Sequence, residues 1–121
     1  MKQRILVVED QEDNRRIVRD LLTSAGYETL EALTGEAGVS LAESQRPDLI
    51  VMDLQLPGLN GYEAARQIKA NPLLRTIPII AVTAYALSGD DAEAHRAGCD
   101  GYISKPFSPR ALLAAIRDYL V

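Results

Sequence analysis

Three carboxylates, one hydroxyl and one ammonium stand where short apolar runs end. Glu9 and Asp10 follow Ile5-Leu6-Val7-Val8, Asp53 follows Leu49-Ile50-Val51-Met52, Thr83 follows Ile79-Ile80-Ala81-Val82, and Lys105 follows Gly101-Tyr102-Ile103-Ser104. Because they come from four separate stretches, only the fold can bring them together. Two like charges about 4 Å apart repel by roughly 4 kcal/mol at an effective dielectric near 20, so Glu9, Asp10 and Asp53 need a compensating cation if they converge. Mg2+ fits: it takes oxygen ligands, keeps several waters, and needs only one or two carboxylates beside a phosphate oxygen and a carbonyl. A free carboxylate oxygen can then attack a phosphoryl group whose charge is held by the ion, Lys105 and the Thr83 hydroxyl, leaving an acyl phosphate on aspartate. Spacing alone does not decide between Asp10 and Asp53 as the acceptor. Taken singly, each group has a plainer reading as a helix cap or a solvated turn; their agreement favours chemistry.

The elements that must deliver these groups show in the apolar pattern. Ile5 to Val8 is a short, unalternated, β-branched run, the mark of a strand covered on both faces. Ile17, Val18, Leu21, Leu22 and Ala25 then recur at helical spacing and stop before Gly26, which predicts a helix from about Glu12 to Ala25 with a left-handed residue after it. The alternation repeats with a strand over Tyr27 to Ala32, then a helix capped by Thr34 that turns Ala37, Leu41 and Ala42 inward and ends at Arg46-Pro47. Asp48 to Asp53 forms the third strand, and a Pro57-Gly58 turn leads to a helix from Gly61 to Ala70 capped by Asn60. Pro78 to Thr83 is the fourth strand, Ser88 caps a short helix ending near Gly98, and Gly101 to Ser104 is the fifth. Ser108, with Pro109 at the first helical position, opens a last helix burying Leu112, Leu113, Ile116 and Leu120. Five strand-helix units with right-handed crossovers predict an α/β fold, a doubly wound five-stranded parallel sheet. Ligands of such sheets gather at the carboxyl ends of the strands, where these groups lie; strand two offers no comparable residue.

Composition narrows the alternatives. At 121 residues, with 47% hydrophobic and 25% charged, the chain is expected to form one domain with an ordinary core. A net charge of −4 with no basic block disfavours nucleic acid as a partner. No apolar run approaches the roughly 18 residues of a membrane span, so no membrane association is expected. Cys99 is the only cysteine and His95 the only histidine, which excludes a zinc-type site and suits a reducing, cytoplasmic setting. His95, Arg15, Arg16 and Arg19 read as solvated helix faces, with docking of a partner helix pair on the first helix as the alternative for the arginines. Cys99 reads as a small buried hydrophobe.

Val7-Val8-Glu9-Asp10, the Asp48 to Asp53 run with Leu56-Pro57-Gly58 and Gly61, Val82-Thr83-Ala84, and Gly101-Tyr102-Ile103-Ser104-Lys105-Pro106-Phe107 together resemble the receiver domain of two-component response regulators. The resemblance spans the whole chain. It implies a flavodoxin-like fold of strand order 2-1-3-4-5. It further implies that Asp53 accepts a phosphoryl group from the phosphohistidine of a sensor histidine kinase or histidine phosphotransfer protein. Asp10, Asp53 and the Gln55 carbonyl would ligate Mg2+, with Glu9 holding metal-bound water. Thr83 and Lys105 would grip the phosphoryl oxygens, and the Lys105-Pro106 bond would be cis and aim the lysine. Thr83 would move toward the phosphoryl group while Tyr102 turns inward, altering the face of the fourth helix, fifth strand and fifth helix that a downstream protein reads. The fourth helix, with little to bury beyond Ala92, Ala94 and Ala97, is expected to be the loosest.

Glu at position 9, where the family more often has Asp, lengthens the reach to the metal and leaves direct and water-mediated ligation both open. Gln55 and Tyr85 occupy positions that in this family border the path of hydrolytic water. A bulky Tyr85 is expected to slow dephosphorylation, and an unchanged phosphoryl half-life in a Tyr85→Ala protein refutes that. Two segments, 83–90 and 98–102, also resemble single-domain cell-cycle regulators of the DivK type and receivers attached to hybrid kinases. The expectation is a stand-alone regulator, an excised receiver being the alternative. A flavin carrier shares the architecture, but Gln11-Glu12-Asp13 would repel its phosphate. An aspartate-nucleophile phosphatase spaces its two carboxylates differently after the first strand, and a receiver-like domain that only binds partners would not need every group of the site.

Overall fold

A computed structural model describes residues 2–83 and 90–120 of the chain. Strand β1 (Arg4–Val8) leads to α1 (Glu12–Ser24), β2 (Glu28–Ala32) to α2 (Gly35–Gln45), β3 (Leu49–Asp53) to α3 (Gly61–Ala70), β4 (Ile79–Thr83) to α4 (Asp90–Arg96), and β5 (Gly101–Ser104) to α5 (Pro109–Arg117). All neighbouring strands run parallel, in the order β2-β1-β3-β4-β5. The expected doubly wound sheet is therefore found.

Side chains alternate across a strand, so an unbroken apolar run supplies two cores at once. Leu6, Val8, Ile50, Met52, Ile79 and Ala81 face Ala42, Ala64, Ala65, Ile68, Ala94 and Ala97, the inner surfaces of α2, α3 and α4. Ile5, Val7, Leu49, Val51, Ile80 and Val82 face Val18, Leu22, Leu112 and Ile116 of α1 and α5. Among the described residues, three helices thus cover one face and two the other. Central strands β3 and β4 are buried at every position, whereas edge strand β2 is buried only at Ala32.

The expected caps form. Thr34, Asn60 and Ser108 each accept a backbone N–H three residues on at 3.0 Å, satisfying a donor the helix leaves orphaned. Gly26 takes φ +96° after α1, a conformation that side chains resist. Three expectations need correction. Ile17 is 61% exposed and Ala25 is exposed, because α1 offers the sheet only the narrower stripe around Val18 and Leu22. Ala92 is exposed too, leaving Ala94 of α4 and Ala97 just after it to face inward. Arg15 is not a solvated side chain, as shown below. The expected Ser88 cap and Tyr85 lie outside the described residues. Among the described residues no helix is long and apolar enough to cross a membrane.

Candidate functional site

The ladder between β1 and β2 continues one residue past β1, where the Glu9 N–H donates to the Ala32 carbonyl at 3.0 Å. This draws Glu9 into the interior, while Asp10 stays half-buried beside it. Asp53, the last residue of β3, is also buried. Behind it α3 starts so close that a Cβ on Gly61 would collide with the Asp53 carbonyl oxygen and come within 2.6 Å of the Leu54 Cα, so only glycine permits this approach. One carboxylate oxygen from each of Glu9, Asp10 and Asp53 lies within 4.8 Å of the others.

Lys105 closes the cluster from β5. Its N–H donates to the Thr83 carbonyl at 2.7 Å, and the peptide bond to Pro106 is cis. Its ammonium donates to Glu9 Oε1 at 3.1 Å and to Asp53 Oδ2 at 3.2 Å. Burial alone would lower the lysine pKa, but the charges of Asp53 and Glu9 outweigh it and the net shift is upward. The ammonium is therefore held charged. Thr83 ends β4 fully buried, with its Oγ1 accepting from Gln55 Nε2 at 2.8 Å, and the Gln55 N–H donates to Asp53 Oδ1 at 2.9 Å. Tyr102 sits in β5 opposite Ala81 and packs half-buried against the core beneath α3 and α4. Glu9, Asp10, Asp53 and Lys105 thus converge as one cluster, with Gln55 and Thr83 hydrogen-bonded at its edge; Tyr102 is on the neighbouring core face.

Strand two adds no residue to this cluster, but it does supply an ion-pair partner beside it. Glu31 of β2 forms an ion pair with Arg15, Nε to Oε1 3.3 Å, and Arg15 Nη1 donates to the Glu9 carbonyl at 3.1 Å. The only sequence signal is an acidic residue on an edge strand beside a helix rich in arginine. The pairing needs the fold to be seen.

The donor set suits a hard divalent ion. Opposite oxygens of an octahedral Mg2+ are about 4.2 Å apart, from ligand distances near 2.1 Å, so a cluster within 4.8 Å needs only slight closing or one bridging water. The Glu9 carboxyl is pushed up to about 7 by burial first, then by its hydrogen bond to Asp53 and the Asp53 charge, against the Gln11 N–H and Lys105, which pull it down. The unfolded chain releases this proton near 4.5, so the folded protein alone holds it between there and about 7. Stability from this group is full below the lower value and is lost as pH rises toward the upper one. Melting temperatures of metal-free protein are expected to fall across that window by more than those of Glu9→Gln, as calorimetry with a chelator present can check; equal slopes contradict it. The buried Cys99 thiol, pushed up to about 11 chiefly by burial, is inert at neutral pH.

Beside the cluster lies a groove of about 440 Å³ between α1 and the turn after β5, with Asn14, Ile17, Val18, Pro106 and Phe107 among its lining residues. Glu9, Asp53 and Lys105 of the cluster also line it.

A flavodoxin-like sheet carrying an acidic, lysine-lined site at its carboxyl edge defines the class. Residues 5–117 match the response regulator receiver domain, and the chain belongs to that family. It is 43% identical over 120 residues to the polar-differentiation response regulator DivK of Brucella anthropi, covering 99% of this chain and 98% of that one. Among solved structures it resembles the receiver domain of a sensor histidine kinase from Pseudomonas aeruginosa PAO1, which holds a magnesium ion in its active-site cleft (TM-score 0.92, 40% identity, 98% of each chain). It also resembles the chemotaxis protein CheY4 of Vibrio cholerae (TM-score 0.93, 28% identity, 99% of this chain and 100% of that one).

Proposed function

We propose that this receiver is a phosphoacceptor switch in which Asp53 takes a phosphoryl group with the help of Mg2+. The observation that supports this best is the Lys105 ammonium held between Glu9 and Asp53, in a cluster of oxygens spaced for a divalent ion. Asp10, Asp53 and the Gln55 carbonyl are the proposed ligands, with Glu9 acting directly or through water. When bound, Mg2+ neutralises the carboxylates and draws charge from the phosphoryl oxygens.

The chain's own residues do the rest. Asp53 attacks phosphorus through a carboxylate oxygen; the phosphorus–nitrogen bond of a donor phosphohistidine breaks, and the imidazole leaves with the electron pair. Gln55 keeps the carboxylate oriented through the 2.9 Å bond to Oδ1. Lys105 exchanges its contact with Asp53 Oδ2 for a phosphoryl oxygen, and Thr83 gives up the Gln55 amide to do the same. That displacement is the proposed switch, with Tyr102 filling the space behind Thr83 and the face of α4, β5 and α5 presented differently to a downstream protein. A sensor histidine kinase or histidine phosphotransfer protein is the proposed donor. The exposed Ile17 and the Phe107 turn give it a largely apolar groove that Asp53 also lines.

Incubation with acetyl phosphate and Mg2+, followed by intact mass, tests the reading. One phosphoryl group gained with Mg2+ and none with a chelator is expected; no gain in either overturns it.

A further inference from the structure

We infer that Arg15 is a positioning residue for the metal site, holding the Glu9–Asp10 peptide so that both carboxylates point into the cluster. The inference rests on the Mg2+ reading above. Arg15 differs from its neighbour on the same helix: its side chain is 13% exposed, against 57% for Arg16, which pairs with Asp13 in solvent. From the first turn of α1 the guanidinium folds back, placing Nη1 3.1 Å from the Glu9 carbonyl oxygen while Nε engages Glu31 at 3.3 Å. Arg19 Nη1 lies 3.7 Å from the same Glu31 oxygen, steadying the acceptor.

The bonded oxygen matters because it belongs to the peptide unit joining Glu9 to Asp10. A peptide is planar, so fixing its carbonyl also fixes the Asp10 N–H and the positions of the two Cα atoms that carry the consecutive side chains. Other restraints hold only the flanks. The Glu9 N–H is tied to Ala32, and Glu9 Oε2 accepts from the Gln11 N–H at 3.1 Å. Among the described residues, no other hydrogen bond reaches the Glu9 carbonyl or the Asp10 N–H of the intervening peptide. A planar guanidinium can serve a carbonyl and a carboxylate in fixed directions at once, whereas an ammonium on a flexible stem cannot.

Charge and positioning predict opposite signs, which makes the inference testable. Removing a cation near a Mg2+ site strengthens binding by Coulomb's law; releasing the peptide weakens it. Calorimetric titration of the intact chain with Mg2+ alone, without phosphodonor, reads this directly. Arg15→Gln is expected to bind about tenfold more weakly, the low end of the effect of losing an outer partner of a metal site. Arg15→Lys, which keeps the charge, is expected to bind about threefold more weakly. Arg16→Gln binds as wild type or slightly better. Acetyl phosphate labelling of both Arg15 variants recovers toward wild type at saturating Mg2+, which a damaged fold would not allow. Should Arg15→Gln fail to fold, Arg15→Lys carries the test. Unchanged or tighter binding in Arg15→Gln together with wild-type binding in Arg15→Lys overturns the inference alone. A wild-type protein that releases no heat with Mg2+ overturns the metal reading as well.

Discussion

An Asp53→Asn protein is expected to take up no phosphoryl group from acetyl phosphate at any Mg2+ concentration, while remaining folded. An amide has no carboxylate oxygen with which to form an acyl phosphate, so the loss is complete rather than graded. The shape, however, is nearly kept. The Gln55 N–H still finds an oxygen where Asp53 Oδ1 stood, and the Lys105 ammonium retains Glu9 Oε1 at 3.1 Å. Removing one of three clustered carboxylates also relieves repulsion in the metal-free state, so the melting temperature should not collapse. Intact mass and thermal unfolding of the same sample separate lost chemistry from lost structure. Labelling at wild-type extent would place the acceptor elsewhere, with Asp10 the first alternative.

The second large effect falls at the opposite end of the sheet. Asp100, just before β5, binds three elements: its Oδ2 accepts from Lys69 Nζ of α3 at 2.8 Å and from the Ile79 N–H of β4 at 2.9 Å, and its carbonyl accepts from Tyr119 beyond α5 at 2.6 Å. Lys69 spends its other hydrogens on the carbonyls of Ile77 and Arg75. In Asp100→Ala the Ile79 N–H and a lysine only 16% exposed lose their carboxylate. Hydrogen bonds to charged groups contribute about 1.5–3 kcal/mol each, and Asp100 is itself 39% exposed, which weakens its ion pair. A net loss of about 2–3 kcal/mol, or about 10 °C in melting temperature, is expected. Asp20→Ala, which removes only a surface pair with Arg19, should change stability by less than about 0.5 kcal/mol. Chemical denaturation checks both; equal midpoints for the two variants contradict the assigned role of Asp100.

The contrast between these residues shows which parts of the molecule sequence reasoning reaches. Strands β1, β3 and β4 were legible because burial on both faces leaves an unbroken apolar run. The three side-chain caps were legible because each acts within three residues. Edge strand β2, half-buried along most of its length, carries a weaker pattern, so the sequence places its start at Tyr27 whereas the strand begins at Glu28. Ile17 misled for a related reason: an apolar residue at helical spacing looks inward until the neighbouring surface is known, and here it borders a groove instead of the core. Glu9, Asp10, Asp53 and Lys105 could be gathered before any coordinates, since a parallel sheet puts every strand's carboxyl end on one edge. Arg15 with Glu31, and Lys69 with Asp100, could not. Those pairs depend on which helix lies beside which strand and on how far a long side chain folds back, and neither leaves a local signature. Family resemblance supplied what periodicity lacks, the choice of Asp53 over Asp10 and the cis bond before Pro106.

That choice of acceptor is open to direct chemical proof. Protein treated with acetyl phosphate and Mg2+, then reduced with borohydride and digested, converts an aspartyl phosphate into homoserine at the modified position. Homoserine at residue 53, absent when Mg2+ is chelated, is the result predicted here. Homoserine at residue 10 instead, or a phosphoryl group that survives reduction on a serine, threonine or His95, would contradict the account.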